Sequence, residues 1–302
     1  MANTPAEFTP ANVMMLNATE GVVPFETGQA IIQDVMASSV MMQLAKFEDM
    51  NALEKKFPVF LSGVGAYWVG EGKRIQTSKP EWGEVTMKAH KLGVILPTTR
   101  EYQHYKASDY FNMMRPLIAE AFYKKFDMAA ILNVDNVWTQ SLEQASTGER
   151  LVEGDLNADN LNLLVDALGE TGHEPNAYIS KVANNSLLRG MVSGEGATAE
   201  SLYDRSAKTL DGLPLLNVHT DLTDFPKGTL YAGDFNYAYY GIPYGISYSI
   251  SDQATISTIV DEEGEPLNLW EREMSALRAT MDIAFLIVRE EAFGKVAAPV
   301  VP

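Results

Sequence analysis

Two stretches decide the fold of this sequence. One is Phe57-Pro58-Val59-Phe60-Leu61. The other is Val85-Thr86-Met87-Lys88-Ala89-His90, which alternates apolar and polar residues. Strict alternation is the mark of a half-buried strand, because successive side chains point to opposite faces. Between them lie a further apolar run, Ala66-Tyr67-Trp68-Val69, and polar, glycine-containing residues, Gly70-Glu71-Gly72-Lys73-Arg74 and Thr77-Ser78-Lys79-Pro80. Residues 56–97 therefore read as a long antiparallel hairpin with a polar tip. The tip carries charges of both signs: Glu71, Lys73, Arg74, Lys79, Glu81 and Glu84, with Trp68 and Trp82 beside them. A two-stranded ribbon is marginal alone in water, so it is expected to lie on something, and a neighbouring subunit is one candidate.

Working outward, the hairpin is flanked by helical periodicity. On its N-terminal side, residues 26–50 carry Ile31, Ile32, Val35, Met36, Val40 and Leu44 at intervals of three and four, with Thr27 as a cap. Residues 1–25, punctuated by Pro5, Pro10 and Pro24, read as an arm. On the C-terminal side, Ser108 to about Gln140 is the strongest helix signal. Phe111, Met114, Ile118, Ala121, Phe122, Ala129 and Leu132 share one face. At ~1.5 Å per residue such a helix would be roughly 45 Å long. Pro116 removes a backbone donor within it, and is expected to kink the helix or to mark the start of a second one.

Residues 141–155 are polar and read as a linker. Asn157–Leu168 reads as a helix with Leu161, Leu164, Val165 and Leu168 on one face. Short strands are expected at 176–180, 213–218 and 228–232, a helix at 184–191, a loop at 192–206 and an aromatic strand region at 238–250. Residues 274–293, containing Ala284-Phe285-Leu286-Ile287-Val288, read as a long, largely buried strand. The fold class is α+β.

Composition narrows the function by exclusion. The chain has 302 residues, no cysteine, and 40 acidic against 23 basic side chains, a formal charge of −17. Disulfides, cysteine-ligated metals and a cysteine nucleophile are excluded. Tight direct binding of nucleic acid is disfavoured, although an acidic wall suits a container whose polyanionic content must stay mobile. No targeting segment is visible, and the apolar runs are too short to cross a bilayer. No cofactor is expected. His90, His104, His173 and His219 are mutually remote in sequence and form no metal-ligand spacing. Gly63-Val64-Gly65 with Gly70 misses the dinucleotide spacing, and Gly245-Ile246-Ser247-Tyr248-Ser249 breaks the nucleophile-elbow pattern at its last position. Acidic clusters such as Asp261-Glu262-Glu263 read as solvated surface. No catalytic residue is assigned.

The order of these features, arm, helix, polar-tipped hairpin, long helix, α/β region and final apolar strand, resembles the major capsid proteins of tailed phages and herpesviruses. The local texture agrees. Ala66–Glu71 with Ser78–Trp82 is similar to the family's extended loop (E-loop), and His90–Pro97 with Glu101-Tyr102 to the strand leaving it. Arg115–Leu132 is similar to its spine helix. Thr209–Pro214 and Tyr231–Phe235 resemble landmarks of the axial (A) domain, and Arg278–Phe293 the closing strand of the peripheral (P) domain. The resemblance runs from about residue 26 to 296 and rests on the joint order, since each piece alone is an ordinary turn, hairpin or core stripe.

The resemblance implies an arm at 1–25, a helix and lead-in at 26–55, an E-loop at 56–97, a P domain at 98–145 and 256–302, and an A domain at 146–255. It implies pentamers and hexamers closing into an icosahedral phage head, assembled in the host cytoplasm around double-stranded DNA, with a later subunit rearrangement. Trp68, Glu71, Lys73, Arg74, Lys79, Glu81, Trp82 and Glu84 would make inter-subunit contacts, and Pro116 would serve as a hinge. A portal and a decoration protein are further partners implied. A separate scaffolding protein is expected, because little sequence precedes the arm. Some family members carry a Lys–Asn isopeptide cross-link assisted by a Glu. Lys73, Lys79 and Lys88 lie on the hairpin, but no Asn and Glu partners match. Two alternatives stay open: an encapsulin-type shell around cargo protein, and an α/β hydrolase-like enzyme built on residues 176–250.

Overall fold

The computed structural model describes residues 6–7, 39–62, 74, 81–99, 107–193, 200–218, 225–260 and 264–298. Strand β1 is Ala6–Glu7. Helix α1, Val40–Leu44, follows Ser39, whose side chain caps it by accepting from the Met42 amide. Strand β2, Lys46–Phe47, follows at once. The helical periodicity expected to reach residue 50 thus ends at Leu44, because Ala45 is already extended. Its first half, 26–38, lies outside the described residues.

Strands β3, Glu54–Ser62, and β4, Glu81–Thr99, form the antiparallel hairpin read from the sequence. Helix α2 runs Ala107–Leu132. It is shorter than expected, about 39 Å for its 26 residues at ~1.5 Å each. Asn133 and Asp135 adopt positive φ and turn the chain away. Pro116 sits inside this helix, exposed, and no second helix begins there. Pro116, the tenth residue of α2, leaves the Asn112 carbonyl without its helical donor. The inward face holds Met114, Ile118, Phe122, Phe126 and Ala129, whereas Ala121 points outward and Leu132 is half-buried.

The expected linker at 141–155 is instead ordered and partly buried. Helix α3, Leu142–Ala145, is capped by the Ser141 side chain, and strand β5 is Leu151–Glu153. Ser141, Leu142, Ala145 and Ser146 are buried. Helix α4, Ala158–Glu170, begins at Asn157, whose side chain accepts from the Asn160 amide. Strand β6 is Ala177–Lys181 and helix α5 only Asn185–Leu188. The expected loop at 192–206 contains short strands: β7 Val192–Ser193, β8 Glu200–Ser201 and β9 Tyr203–Asp204. Then come β10 Thr209–Leu210, β11 Leu213–Val218, β12 Leu230–Gly233, β13 Ala238–Gly241 and β14 Ser247–Ser251. A ribbon of β15, Thr255–Val260, and β16, Pro266–Asn268, precedes the long strand β17, Met274–Ile287. The apolar run expected to reach 293 as one strand breaks after Ile287, and Phe293–Ala297 forms a separate strand, β18.

Two large sheets result. The first has the order β2-β13-β17-β4-β3, with β14 also on β17. The second has the order β5-β18-β12-β6-β11-β10-β9. Alternation along β17 explains its double burial. Leu277, Ala279, Met281, Ile283, Phe285 and Ile287 face the core shared with α2. Ala284 and Leu286 face Met50 and Met87 on the opposite side. The second sheet is covered on one face by α4 through Leu161, Leu164 and Leu168, packed near Tyr178, Leu230 and Val296. Its other face joins the α2 core through Ile179, Tyr231 and Phe293. Among the described residues no helix is long and apolar enough to cross a membrane.

Candidate assembly elements

The hairpin has two different faces. Lys55, Phe57, Val59, Val85 and Met87 are half-buried or buried, whereas Glu54, Lys56, Pro58, Glu84 and Lys88 are exposed. The exposed face is laced by ion pairs across the ladder, Lys56–Glu84 at 2.9 Å and Lys88–Glu54 at 3.1 Å. The Glu84 carboxylate beside Lys56 holds that ammonium above its ordinary pKa. Exposed pairs of this kind contribute little to stability, so their value is in shaping a charged, soluble surface. Pro58 and the lysines on β3 also make a poor template for unwanted strand addition along this edge.

The covered face rests on the molecule's own body at its root. Met87 is fully buried with Met50, Ala284 and Leu286, and Phe57, Val85 and Tyr239 pack against them. Lys55 reaches back to Glu48 at 2.5 Å and lies 5.7 Å above the Phe57 ring. The sequence predicted that the ribbon lies on something, with a neighbouring subunit as one candidate. At its root the ribbon finds cover within the chain.

Of the contact residues expected from the sequence, Trp68, Glu71, Lys73 and Lys79 lie outside the described residues. Arg74 is exposed. Glu81 and Trp82 open strand β4, at the far end of the ladder, paired with Ser62 and Phe60. Glu84 lies on the charged face described above. Pro116 is an exposed residue of α2, and no described contact brings it together with the hairpin residues.

Two features escaped the sequence reading. The first is Asp127, fully buried on α2. Its carboxylate accepts from Ser39 Oγ at 2.6 Å, from the Val40 amide at 3.0 Å and from the Met41 amide at 3.2 Å. It thereby pins the start of α1 to the C-terminal part of the long helix. Burial pushes its pKa up to about 6, against the downward pull of those three donors. A visible signal existed: an acid one residue after Phe126, inside the apolar stripe. The second is Trp138, which the sequence placed near the end of a helix. It lies instead in the turn after α2, and its indole N–H donates to the Lys88 carbonyl at 3.2 Å.

At the junction of the two sheets, Tyr231 donates its hydroxyl to Glu143 at 2.6 Å, and Lys295 pairs with the same carboxylate. Burial and the Glu143 charge drive the Tyr231 hydroxyl well above the usual phenol range. This triad, buried at Tyr231 and Lys295 and partly exposed at Glu143, ties α3 to β12 and β18. It is a brace, with no nucleophile or base left free for substrate. Among the described residues no group of three or more His, Asp or Glu is arranged to hold a metal.

Comparison with known proteins agrees with this picture. A model of the phage capsid family matches residues 20–297. The major capsid protein of Staphylococcus phage 80alpha is 46% identical over 293 residues, covering 96% of this chain and 89% of that one. The probable major capsid protein gp17 of Mycobacterium phage L5 is 27% identical over 290 residues, with coverage of 91% and 89%. Among solved structures, a chain from Mycobacterium phage Cain superposes with a TM-score of 0.71 at 20% identity, over 88% of this chain and 92% of that one. A chain from the capsid of an empty GTA particle gives 0.64 at 14% identity, over 92% of each. These last two show likeness of fold. With a two-faced hairpin rooted in a helix-backed sheet, a family match over nearly its whole length and a 46% identical relative, this chain belongs to the phage capsid family, as a structural component of the virion shell and not an enzyme.

Proposed function

We propose that copies of this chain assemble as pentamers and hexamers into an icosahedral head that encloses double-stranded DNA and rearranges its subunits as it matures. The observation that carries the proposal is the division of β4. Residues 89–99 are locked into the body by pairing with β17, while residues 81–88 pair only with β3 in the hairpin. One strand thus belongs both to the stiff core and to an outlying ribbon with a charged face, which is the geometry of an element reaching over a neighbour.

In this reading residues 1–25 are the N-terminal arm and 26–55 the lead-in. Residues 56–97 are the E-loop, 98–145 and 256–302 the P domain with α2 as its spine, and 146–255 the A domain gathered near local symmetry axes. Trp68, Glu71, Lys73, Arg74, Lys79, Glu81, Trp82 and Glu84 supply contacts to the next subunit, each weak and repeated many times per shell. Pro116 is a point at which α2 bends during maturation. A net charge of −17 keeps the wall from gripping the DNA it holds. A separate scaffolding protein, a portal and a decoration protein are partners consistent with assembly in the host cytoplasm.

Negative-stain electron microscopy of the expressed chain at high concentration tests the proposal. Closed shells built of five- and six-fold clusters are the expected result. A monomer that persists at every concentration would refute it. Nucleic acid copurifying with shells from infected cells supports a DNA container, and an enzyme cargo in its place would refute that part.

A further inference from the structure

Strand β4 changes its register partner between Lys88 and Ala89, where the Ala89 amide still donates to the Leu53 carbonyl at 2.8 Å. Its last register pair with β3 is Glu54–Lys88, and its first with β17 is Ala89–Ala284. Strand β17 continues beyond Ala284 to Ile287, paired there with β13. The sheet therefore forks between β4 and β17, and the space inside a fork must be filled if the two branches are to keep one angle.

Both faces of the fork are filled. One holds Met50, Met87 and Leu286. The other holds the Trp138 ring. It meets Phe285 edge-on at 5.8 Å and Phe126 at 5.6 Å, and His90 at 6.3 Å. Its N–H bonds the carbonyl of Lys88, the last residue of the hairpin ladder. The turn that carries Trp138 is itself fastened to the body. Its amide donates to Asn136 Oδ1 at 2.8 Å, the Asn136 amide group bonds the Gln140 carbonyl at 3.0 Å, and Gln140 Oε1 accepts from the Ile287 amide at 3.1 Å. A cavity of about 70 Å³ adjoins the ring, lined among others by His90, Lys125, Val137 and Ile283. The ring is thus held by its edges and one hydrogen bond, with room to tilt on one side.

We propose that Trp138 is a positioning residue for shell assembly, a wedge that sets the angle at which the hairpin leaves the body. The inference rests on the reading of the hairpin as an element that reaches a neighbouring copy. Leverage makes the angle matter. A nine-residue strand spans about 30 Å at ~3.3 Å per residue, so a change of about 10° at the root moves its far end by roughly 5 Å. That exceeds the reach of a hydrogen bond or close ion pair, and the hairpin tip would miss its partners.

The test uses the full chain with Trp138→Phe, which keeps a ring and removes the N–H, and Trp138→Ala, which empties the wedge. Subunit thermal unfolding, shell diameters by electron microscopy and hydrogen exchange of assembled particles are measured together. For Trp138→Phe the expected result is an unfolding midpoint close to wild type and about fivefold faster exchange of the Ala89 amide, which donates to the Leu53 carbonyl at the hairpin root and is loosened when the adjoining Lys88 carbonyl loses its bond from the indole. Its shells should have a clearly broadened diameter distribution, and Trp138→Ala should show the same defects more strongly. If Trp138→Ala does not fold, Trp138→Phe decides alone. Wild-type diameters in Trp138→Phe would overturn the proposal, even with faster exchange, because the residue would then only support the local fold. Wild-type protein that forms no shells would overturn the shell reading itself, and the wedge with it.

Discussion

A buried carboxylate with no ion-pair partner among the described residues makes a pH dependence of defined sign. Asp127 has an ordinary value of 3.8, and in the folded chain burial pushes it up to about 6. The native state therefore binds this proton more tightly than the unfolded chain does. Its contribution to stability is greatest below pH about 4, and is lost as pH rises from about 4 to about 6. The difference between the two values corresponds to about 3 kcal/mol. The perturbation is Asp127→Asn, which cannot titrate. Other carboxylates change the stability of both proteins alike, so the quantity to follow is wild type minus variant. Urea unfolding of unassembled subunits from pH 3.5 to 7.5 supplies it. The difference should fall by about 3 kcal/mol across that window and level off above neutrality. A difference that stays flat, or one that rises with pH, would refute the reasoning. It would mean that the Ser39 hydroxyl and the Val40 and Met41 amides stabilise the charged form by at least as much as burial penalises it.

Three further outcomes are expected. Phe122→Ala, at a side chain 1% exposed in the α2 core, should cost about 3–5 kcal/mol in urea unfolding. Asn157→Ala removes the cap of α4 and should cost about 1 kcal/mol, with Asn157→Ser recovering most of it. Gly294→Ala would place a methyl 2.7 Å from Leu164 Cδ1 and 2.9 Å from the Arg150 carbonyl oxygen. Because the latter is backbone, the variant should lose about 1–3 kcal/mol, measured as a lowered unfolding midpoint.

The elements legible in the sequence were those whose signal is local. The alternation of residues 85–90 and the stripe through Met114, Ile118 and Phe122 come from periods of 2.0 and 3.6, which any short window displays. Helix α4 was legible for the same reason, through Leu161, Leu164 and Leu168. Residues 141–155 were misread, because their polar composition hides the burial of Leu142 and Ala145. Pro116 was read as a kink or as the start of a second helix, and the helix instead runs through it as one element from Ala107 to Leu132. The run from 274 to 293 was read as one strand, because its break after Ile287 follows from its neighbours: β13 and β4 flank one half, and β12 and β5 capture the other.

By itself the sequence determined an acidic, cysteine-free α+β chain with a long hairpin ahead of a long helix, in an order that pointed to a shell protein. Only the tertiary structure decided where the hairpin is anchored and what holds it there. Asp127 and Ser39 are 88 positions apart, and Trp138 and Lys88 are 50 apart. A hydrogen bond between residues so distant leaves no periodicity in either one's neighbourhood. It comes into being only when the packing of α2 and the turn after it on the sheet brings the two segments together.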